Sequence, residues 1–394
     1  MKKIVVGIIF AAVAFVFGSC NEKKVETVKV GIIHSLSGTM SISESPVMDS
    51  ELLAINEINS RGGVLGRQIE VIIEDGKSEP KVFAEKTEKL LTEDKVATIF
   101  GCWTSASRKA VKPILEEFYG LLWYPVQYEG MEASPNIMYM GAIPNQQIIP
   151  AVDYCLKNIG QTIFLIGSDY VFPRTSNKII KAFLYSEKAT CVGEEYVSLG
   201  STDFSAIIEK IKETKPSVII NTLNGDSNIA FFNSLLKNGI TSAEIPVMSF
   251  SISEEEIAKM DSKRLAGNLL AWNYFETTDT PENAEFIKKY KGAYGEYRMT
   301  GDPIEAGYIA VNLWAKACEK AGSFDVEKVR IATKGISFDA PEGNVTVDGG
   351  NQHLCKTVRI GRIKQDGLVE EIWTSSSQIR PDPYLSTYSW AHGL

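Results

Sequence analysis

Two short segments of this chain combine aromatic rings with hydroxyl, amide and carboxyl groups. The first, residues 101–105, places a tryptophan beside two hydroxyl side chains at the expected start of a helix, where backbone N–H groups are free to donate. The second, residues 123–130, adds three aromatic rings to Gln127 and Glu129. Such groups suit a small polar ligand that is held by neutral hydrogen bonds between apolar walls. The two segments therefore predict a binding site for a small molecule.

Covalent chemistry finds little support in the sequence. It contains no G-x-x-x-x-G-K-[ST] loop, no G-x-G-x-x-G fingerprint, no H-E-x-x-H helix and no G-x-S-x-G elbow. Cys102 follows a predicted strand, where a small buried thiol is the commoner explanation. Asp226 and Glu129 could pair as acid and base, but helix capping or surface solvation explains them more simply. We therefore predict a binding protein, not an enzyme, with no cofactor and no metal.

Composition and charge argue against several kinds of partner and site. The chain has 41 basic and 49 acidic residues, a net charge of -8, and no basic block after its first few residues. This argues against a nucleic-acid partner. Six cysteines are present, and without Cys20 an odd number remains with no C-x-x-C pair. The cysteines therefore argue against a disulfide framework or a zinc site, while a single bridge stays open.

The first 20 residues have the pattern of a bacterial lipoprotein signal. Two lysines precede an apolar stretch, residues 4–17, which is too short to span a hydrocarbon core of roughly 30 Å. Small residues then lead to Cys20, as in a lipobox whose cysteine carries the lipid. Ordinary cleavage beside an incidental cysteine is the alternative. With residues 21–27 as a polar tether, we expect an extracytoplasmic protein anchored to a membrane, in the periplasm or at the cell surface.

The elements that must position these residues alternate between strands and helices. Apolar runs predict strands at 28–34, 69–74, 96–100 and 121–124, and helical spacing predicts helices at 48–59, 81–91 and 107–118. The alternation restarts with strands at 162–166, 191–198, 218–222 and 246–250 and helices at 176–185, 204–214 and 228–238. A mainly helical block (281–335) and a β-like tail (346–373) follow. This order predicts an α/β fold with two doubly wound units.

Ligands of open parallel sheets bind beyond the carboxyl ends of the strands. In two facing lobes, the loops at those ends would surround one cleft. The loops in question are residues 35–39, 102–107, 124–130, 168–174, 224–227 and 249–253.

Several stretches resemble the amide- and urea-binding subgroup of type I periplasmic binding proteins, within the branched-chain amino-acid-binding family. The resemblance covers about residues 28–384, and its most specific run is FGCWTSASRKAVKPILEEFYGLLWYPVQYEGMEASPNIMYMGAIPNQQIIPAVDY. It implies two Rossmann-like lobes that close on a ligand cleft and are joined by three crossovers. We expect an N-terminal lobe from 28–145 and 277–345 and a C-terminal lobe from 146–276 and 346–394.

The resemblance also implies the ligand-binding residues. Trp103, Thr104 and Ser105 match the family's first ligand loop, Tyr124 and Val126 fall on the second, and Tyr170 matches the aromatic residue of the C-terminal lobe. Amide sensors of the subgroup have Thr-Pro where this chain has Val126 and Gln127. This departure favours the urea transport branch and makes Gln127 the candidate for a hydrogen bond lost at 126. Loop position alone adds Ser37, Asn224, Asp226, Ser249 and Trp272.

The function that the resemblance implies is capture of urea, or a close short-chain amide, and delivery to the permease of an ABC importer. Urea has one strong acceptor and four N–H donors, so its site must supply both acceptors and donors. Two alternatives stay open: a branched-chain amino-acid-binding protein, and an amide-sensing regulator of the same fold. A hydrolase lacks a metal or nucleophile set.

Overall fold

A computed structural model describes residues 26–394. The predicted signal peptide, its Cys20 and nearly all of the predicted tether lie outside the described residues. Within the described part, we find no helix that is long and apolar enough to cross a bilayer.

The first lobe is built on a parallel sheet of five strands. These are β1 Thr27–His34, β2 Gln68–Asp75, β3 Ile99–Gly101, β4 Leu122–Tyr124 and β5 Ile137–Tyr139. The helices between them are α1 Ser41–Ser60, α2 Pro80–Thr92 and α3 Ser105–Glu117. The spatial order of the strands is β2-β1-β3-β4-β5, so β2 and β3 lie on opposite sides of β1, and a crevice forms beyond the carboxyl ends of β1 and β3.

The second lobe repeats this arrangement. Its parallel strands are β6 Thr162–Ser168, β7 Thr190–Val197, β8 Val218–Thr222, β9 Val247–Ser249 and β10 Leu269–Trp272. Its helices are α4 Ile148–Asn158, α5 Val171–Ser186, α6 Ser205–Thr214, α7 Ser227–Lys237 and the short α8 Glu254–Ile257 and α9 Ser262–Leu265. The order β7-β6-β8-β9-β10 matches the first sheet. The predicted α/β architecture of two doubly wound lobes is confirmed.

The remaining chain returns to both lobes. It forms α10 Pro281–Tyr294, α11 Asp302–Ala321, α12 Val326–Thr333, β11 Ser337–Ala340, β12 Gly343–Val347, β13 Leu354–Cys355, β14 Arg359–Ile363 and β15 Val369–Thr374. Helix α11 packs on α1, whereas β14 and β15 extend the second sheet in antiparallel pairs. The chain thus passes between the lobes after β5, β10 and β13. The expected limit at 345/346 precedes β13, whose Leu354 packs in the first-lobe core.

Some elements begin earlier than the sequence pattern predicts, and α4, β5 and β10 have no predicted counterpart. Proline explains part of the difference. Pro150 and Pro173 lie in the first turns of α4 and α5, where a backbone N–H has no helical partner and its loss is tolerated. The helix predicted at 176–185 therefore begins after Pro173, whereas α5 begins before it.

Candidate ligand-binding cleft

The predicted site residues all lie at the carboxyl ends of parallel strands. They follow or end β1 (Ser37), β3 (Trp103, Thr104, Ser105), β4 (Tyr124, Val126, Gln127), β6 (Tyr170), β8 (Asn224, Asp226), β9 (Ser249) and β10 (Trp272). Because the two sheets share one strand order, their crevices open at equivalent edges. These side chains nevertheless differ in how far they are buried and in their hydrogen-bond partners.

The loop that carries Trp103 is fixed at both ends. At its start, Gly101 has a φ of +130°, and a Cβ there would lie 2.0 Å from the carbonyl oxygen of Ile33. At its end, Thr104 caps α3, because its side chain accepts a backbone N–H of the first turn. Any side chain at 101 would push the loop away from β1, so glycine is needed for this close approach.

A buried arginine holds together the side of the cleft that the N-terminal lobe forms, which we call the N-lobe face. Arg108 is 0% exposed, and its Nε, Nη1 and Nη2 donate to Glu132 at 2.9 Å, Ser105 at 3.0 Å and Glu129 at 3.0 Å. The Ser105 hydroxyl donates in turn to the other oxygen of Glu129. Although burial opposes it, Arg108 and Lys109 lower the pKa of Glu132 to about 2. All three guanidinium nitrogens are therefore committed to the protein.

The second loop lies against the first. The Tyr124 hydroxyl donates to the carbonyl oxygen of Trp103, and the Arg108 guanidinium lies 5.0 Å from the centre of the Tyr124 ring. Val126 is buried, and a Cβ on Gly141 would lie 2.0 Å from its carbonyl carbon. The backbone at 126 is therefore in close contact with the segment that follows β5.

Gln127 reaches from this loop to the other lobe. Its Nε2 donates to the carbonyl oxygen of Phe250 and to the hydroxyl of Ser251, each at 2.9 Å. Its Oε1 is buried and has no hydrogen-bond partner among the described residues. A buried amide oxygen without a partner is costly, so Gln127 presents an acceptor that a ligand N–H could satisfy.

Two neutral side chains of the C-terminal lobe face the Trp103 and Gln127 loops. Asn224 accepts a hydrogen bond from Trp103 Nε1 at 3.1 Å, which joins the lobes directly. Tyr170 lies at the start of α5. Burial raises the pKa of Tyr170, and the nearby Tyr124 and Glu129 add to the rise. Its phenol therefore stays protonated and can donate at neutral pH.

The other predicted residues have partners outside the Trp103 and Gln127 loops. Ser249 is fully buried and accepts a hydrogen bond from Asn221 at 3.1 Å. Trp272 packs in the core of the C-terminal lobe and donates to a backbone carbonyl at 2.8 Å. Ser37 is exposed and donates to a carboxylate on β2 at 2.7 Å. Asp226 is also exposed and accepts the Thr39 hydroxyl across the rim of the cleft.

Two groups that the predicted site does not include lie beside it. Arg108 was missed because its partners are distant in sequence. Glu44, in the first turn of α1, has one buried carboxyl oxygen with no partner in the described chain. It lies between the predicted loop at 35–39 and the predicted helix at 48–59, in a segment for which the sequence pattern predicts no element. Across residues 26–394, no group of three or more His, Cys, Asp or Glu is arranged to hold a metal ion.

Comparison with known protein families shows which family the chain belongs to. The periplasmic binding protein domain matches residues 28–390. The chain belongs to this family. Its relatives include Leu/Ile/Val-binding protein homolog 6 of Brucella melitensis, 22% identical over 368 residues that cover 90% of this chain and 93% of the relative. The limonene hydroxylase of Geobacillus stearothermophilus is 30% identical over only 127 residues, and the chain spans 23% of that protein's length.

Solved structures of similar fold agree with this assignment. A solute-binding protein of an ABC transporter from Rhodopseudomonas palustris, in complex with 3,4-dihydroxybenzoic acid, superposes with a TM-score of 0.81 at 22% identity, over 90% of this chain and 99% of that one. The branched-chain amino-acid-binding protein of Streptococcus pneumoniae, in complex with isoleucine, has a TM-score of 0.79 at 21% identity, over 90% and 100%. The predicted fold of a type I periplasmic binding protein is thus confirmed.

Proposed function

We propose that this protein is the extracytoplasmic receptor of an ABC importer and captures urea, or a close short-chain amide, between its lobes. The observation that carries the proposal is the balance of unused hydrogen-bonding groups at the cleft. Gln127 Oε1 and one oxygen of Glu44 are buried acceptors without partners, whereas the buried cation, Arg108, is committed to protein acceptors. A ligand rich in N–H donors and without a negative charge fits this balance.

Urea meets these requirements with few atoms. Its four N–H groups can satisfy Gln127 Oε1 and further acceptors, and its oxygen can accept from the Tyr170 hydroxyl and from the free backbone N–H groups at the start of α3. The rings of Trp103 and Tyr124 would cover the planar ligand. Each buried partner left unmade would cost on the order of 1–3 kcal/mol, so the site would select against ligands with fewer N–H groups.

A branched-chain amino acid is the second candidate, and the relatives favour it. The Brucella proteins are named for leucine, isoleucine and valine, and the Streptococcus protein holds isoleucine. The ammonium group of such a ligand could use the free acceptors, but its carboxylate would need a donor set that does not include Arg108. The third candidate, an amide-sensing regulator, conflicts with the predicted signal sequence.

A thermal-unfolding panel tests the choice between ligands. The protein would be heated with urea, acetamide, isoleucine and 3,4-dihydroxybenzoate in separate series. A ligand at about 100 times its Kd stabilises the folded state by about 2.7 kcal/mol, which shifts the melting temperature measurably. We expect millimolar or lower urea, far below denaturing concentrations, to raise it. A rise with isoleucine and none with urea would overturn the urea proposal in favour of the second candidate.

The membrane anchor is a separate part of the proposal. It rests on Cys20 and the apolar stretch before it. We expect Cys20→Ser to release the protein from the membrane fraction of the producing cell. Membrane association that survives this substitution would contradict the lipid anchor at Cys20, and it would not bear on the proposed ligand.

A further inference from the structure

Glu44 is a buried carboxyl group whose two oxygens have different surroundings. Its side chain is 1% exposed. Oε2 accepts the backbone N–H of Ser35 at 2.7 Å and lies 3.4 Å from Nδ1 of His34. Oε1 is buried and has no hydrogen-bond partner among the described residues. The carboxyl group is therefore held in place through one oxygen, and the other is an unused acceptor.

His34 supplies the charge that makes this arrangement tolerable. On its other side, Nε2 lies 3.2 Å from each oxygen of Glu51. Although burial opposes the rise, Glu51 and Glu44 raise the pKa of His34 to about 9. A protonated His34 compensates a negative charge on Glu44, and buried charges persist when they are paired in this way. Glu51 has both oxygens on His34, so only Glu44 of the two has an oxygen to offer.

Glu44 lies where the start of α1 meets the other lobe. The hydroxyl of the neighbouring Ser43 donates to Glu256 of the C-terminal lobe, and Thr39, just before the helix, donates to Asp226 of that lobe. Burial raises the pKa of the Cys102 thiol, next to Trp103, and of Tyr170 in the other lobe, and the charge of Glu44 adds to both rises, which agrees with this position. The free oxygen therefore belongs to a carboxyl group at the boundary between the lobes.

We propose that Glu44 is the residue that selects urea over monoamides: its Oε1 accepts an N–H from the second NH2 group, which urea has and acetamide lacks. This inference rests on the function proposed above and adds a residue and a role to it. Acetamide would place its methyl group against the carboxyl oxygen and leave that oxygen buried and unpaired, which disfavours the complex. Sites built to pair a polar group reject analogues without it more strongly than apolar pockets reject an added one.

The test compares urea and acetamide affinities, by calorimetric titration, in the unmodified protein, Glu44→Gln and Glu51→Gln. In Glu44→Gln, the amide oxygen can still accept the backbone N–H of Ser35. The amide NH2 group then faces an N–H of the ligand, and two donors cannot form a hydrogen bond. We expect urea affinity to fall by about tenfold or more, while acetamide affinity changes by less than about threefold. Glu51→Gln perturbs the same histidine without touching the free oxygen, so its urea-to-acetamide ratio should stay unchanged.

The outcomes separate this inference from the proposed function. Selective urea binding by the unmodified protein, with an unchanged ratio in Glu44→Gln, would overturn the role of Glu44 and leave the urea receptor standing. Binding of neither ligand by the unmodified protein would overturn both. Equal collapse of the ratio in Glu51→Gln would assign the effect to the His34 cluster and contradict the inference. If Glu44→Gln does not fold, Glu44→Asp keeps the charge, withdraws the oxygen from the ligand, and should lower the ratio in the same direction.

Discussion

The N-lobe face of the cleft is built around a buried ion-pair network, whereas the C-lobe face presents neutral polar side chains. On the first, Arg108 donates to two carboxylates and to Ser105. On the second, Asn224 and Tyr170 face the opposing loops, and the Trp103–Asn224 bond joins the lobes at 3.1 Å. Buried ion pairs demand fixed geometry, so the N-lobe face depends on its charge network, whereas the C-lobe face contributes single neutral hydrogen bonds.

The largest effect is expected from breaking the ion-pair network. Arg108→Met should destabilise the fold by about 3–5 kcal/mol, because it leaves Glu129 buried without a cation and Glu132 paired with Lys109 alone. Guanidinium chloride unfolding would measure this without adding the proposed ligand. Arg174→Met is the matched control on the other lobe, where the ion pair with Asp169 is half-exposed and its loss should change the stability little. Equal stability losses would remove the contrast between the faces.

A pH series probes the charge carried by the N-lobe face. The pKa of His34 is raised from 6.5 to about 9, so its contribution is complete below pH 6.5 and is lost as pH rises through about 9. At roughly 1.4 kcal/mol per unit, the loss approaches about 3 kcal/mol. We expect the difference in unfolding free energy between the unmodified protein and His34→Gln to shrink between these pH values.

His353 provides a control of opposite sign for this series. It is buried against the rings of Tyr128 and Tyr139, and burial lowers its pKa from 6.5 to about 4. Its contribution is complete above pH 6.5 and is lost as pH falls through about 4. The difference between the unmodified protein and His353→Gln should therefore shrink on the acid side. Matching profiles for the two histidines would contradict the assigned environments.

Single hydroxyl groups on the two faces should differ in what they affect. Tyr170→Phe should weaken urea binding by about 1–3 kcal/mol, the usual cost of an unpaired buried partner, whereas Ser105→Ala should weaken it less, because the Ser105 proton is donated to Glu129. Ser105 also bridges Arg108 and Glu129, so its loss should lower thermal stability as well. Tyr170→Phe should leave stability nearly unchanged. Unchanged affinity in both variants would remove these residues from the site.

The smallest effect is expected at the rim. Asp226 is exposed and bonds to Thr39 across the lobes, and such exposed contacts contribute about 0–1 kcal/mol. Asp226→Asn should therefore change urea affinity by about threefold or less, as measured by titration. A loss as large as that of Tyr170→Phe would place Asp226 inside the site and not at its edge.

The sequence predicts the loops of this cleft well, because each follows an apolar strand in a regular alternation. It predicts the long-range partners poorly. Arg108 pairs with Glu129 and Glu132 only because α3 and the second loop pack together. The spacing of these residues in the sequence does not predict the pairing.

The first turns of α1 show a second kind of failure. Pro46 lies inside that helix and argues locally for a later start, at 48. The segment is held by tertiary contacts instead, among them the Ser43 hydroxyl bond to Glu256 at 2.5 Å. Because the predicted helix begins at 48, Glu44 lies outside every predicted element, and the sequence pattern does not place it in the site.

Calorimetric titration of residues 21–394 with urea, followed by acetamide and leucine, tests the central claim most directly. Saturable binding of urea, weaker binding of acetamide and no response to leucine are the expected results. Tight leucine binding with no urea response would contradict the proposed ligand, and would show that the free acceptors of the cleft receive an ammonium group instead of an amide.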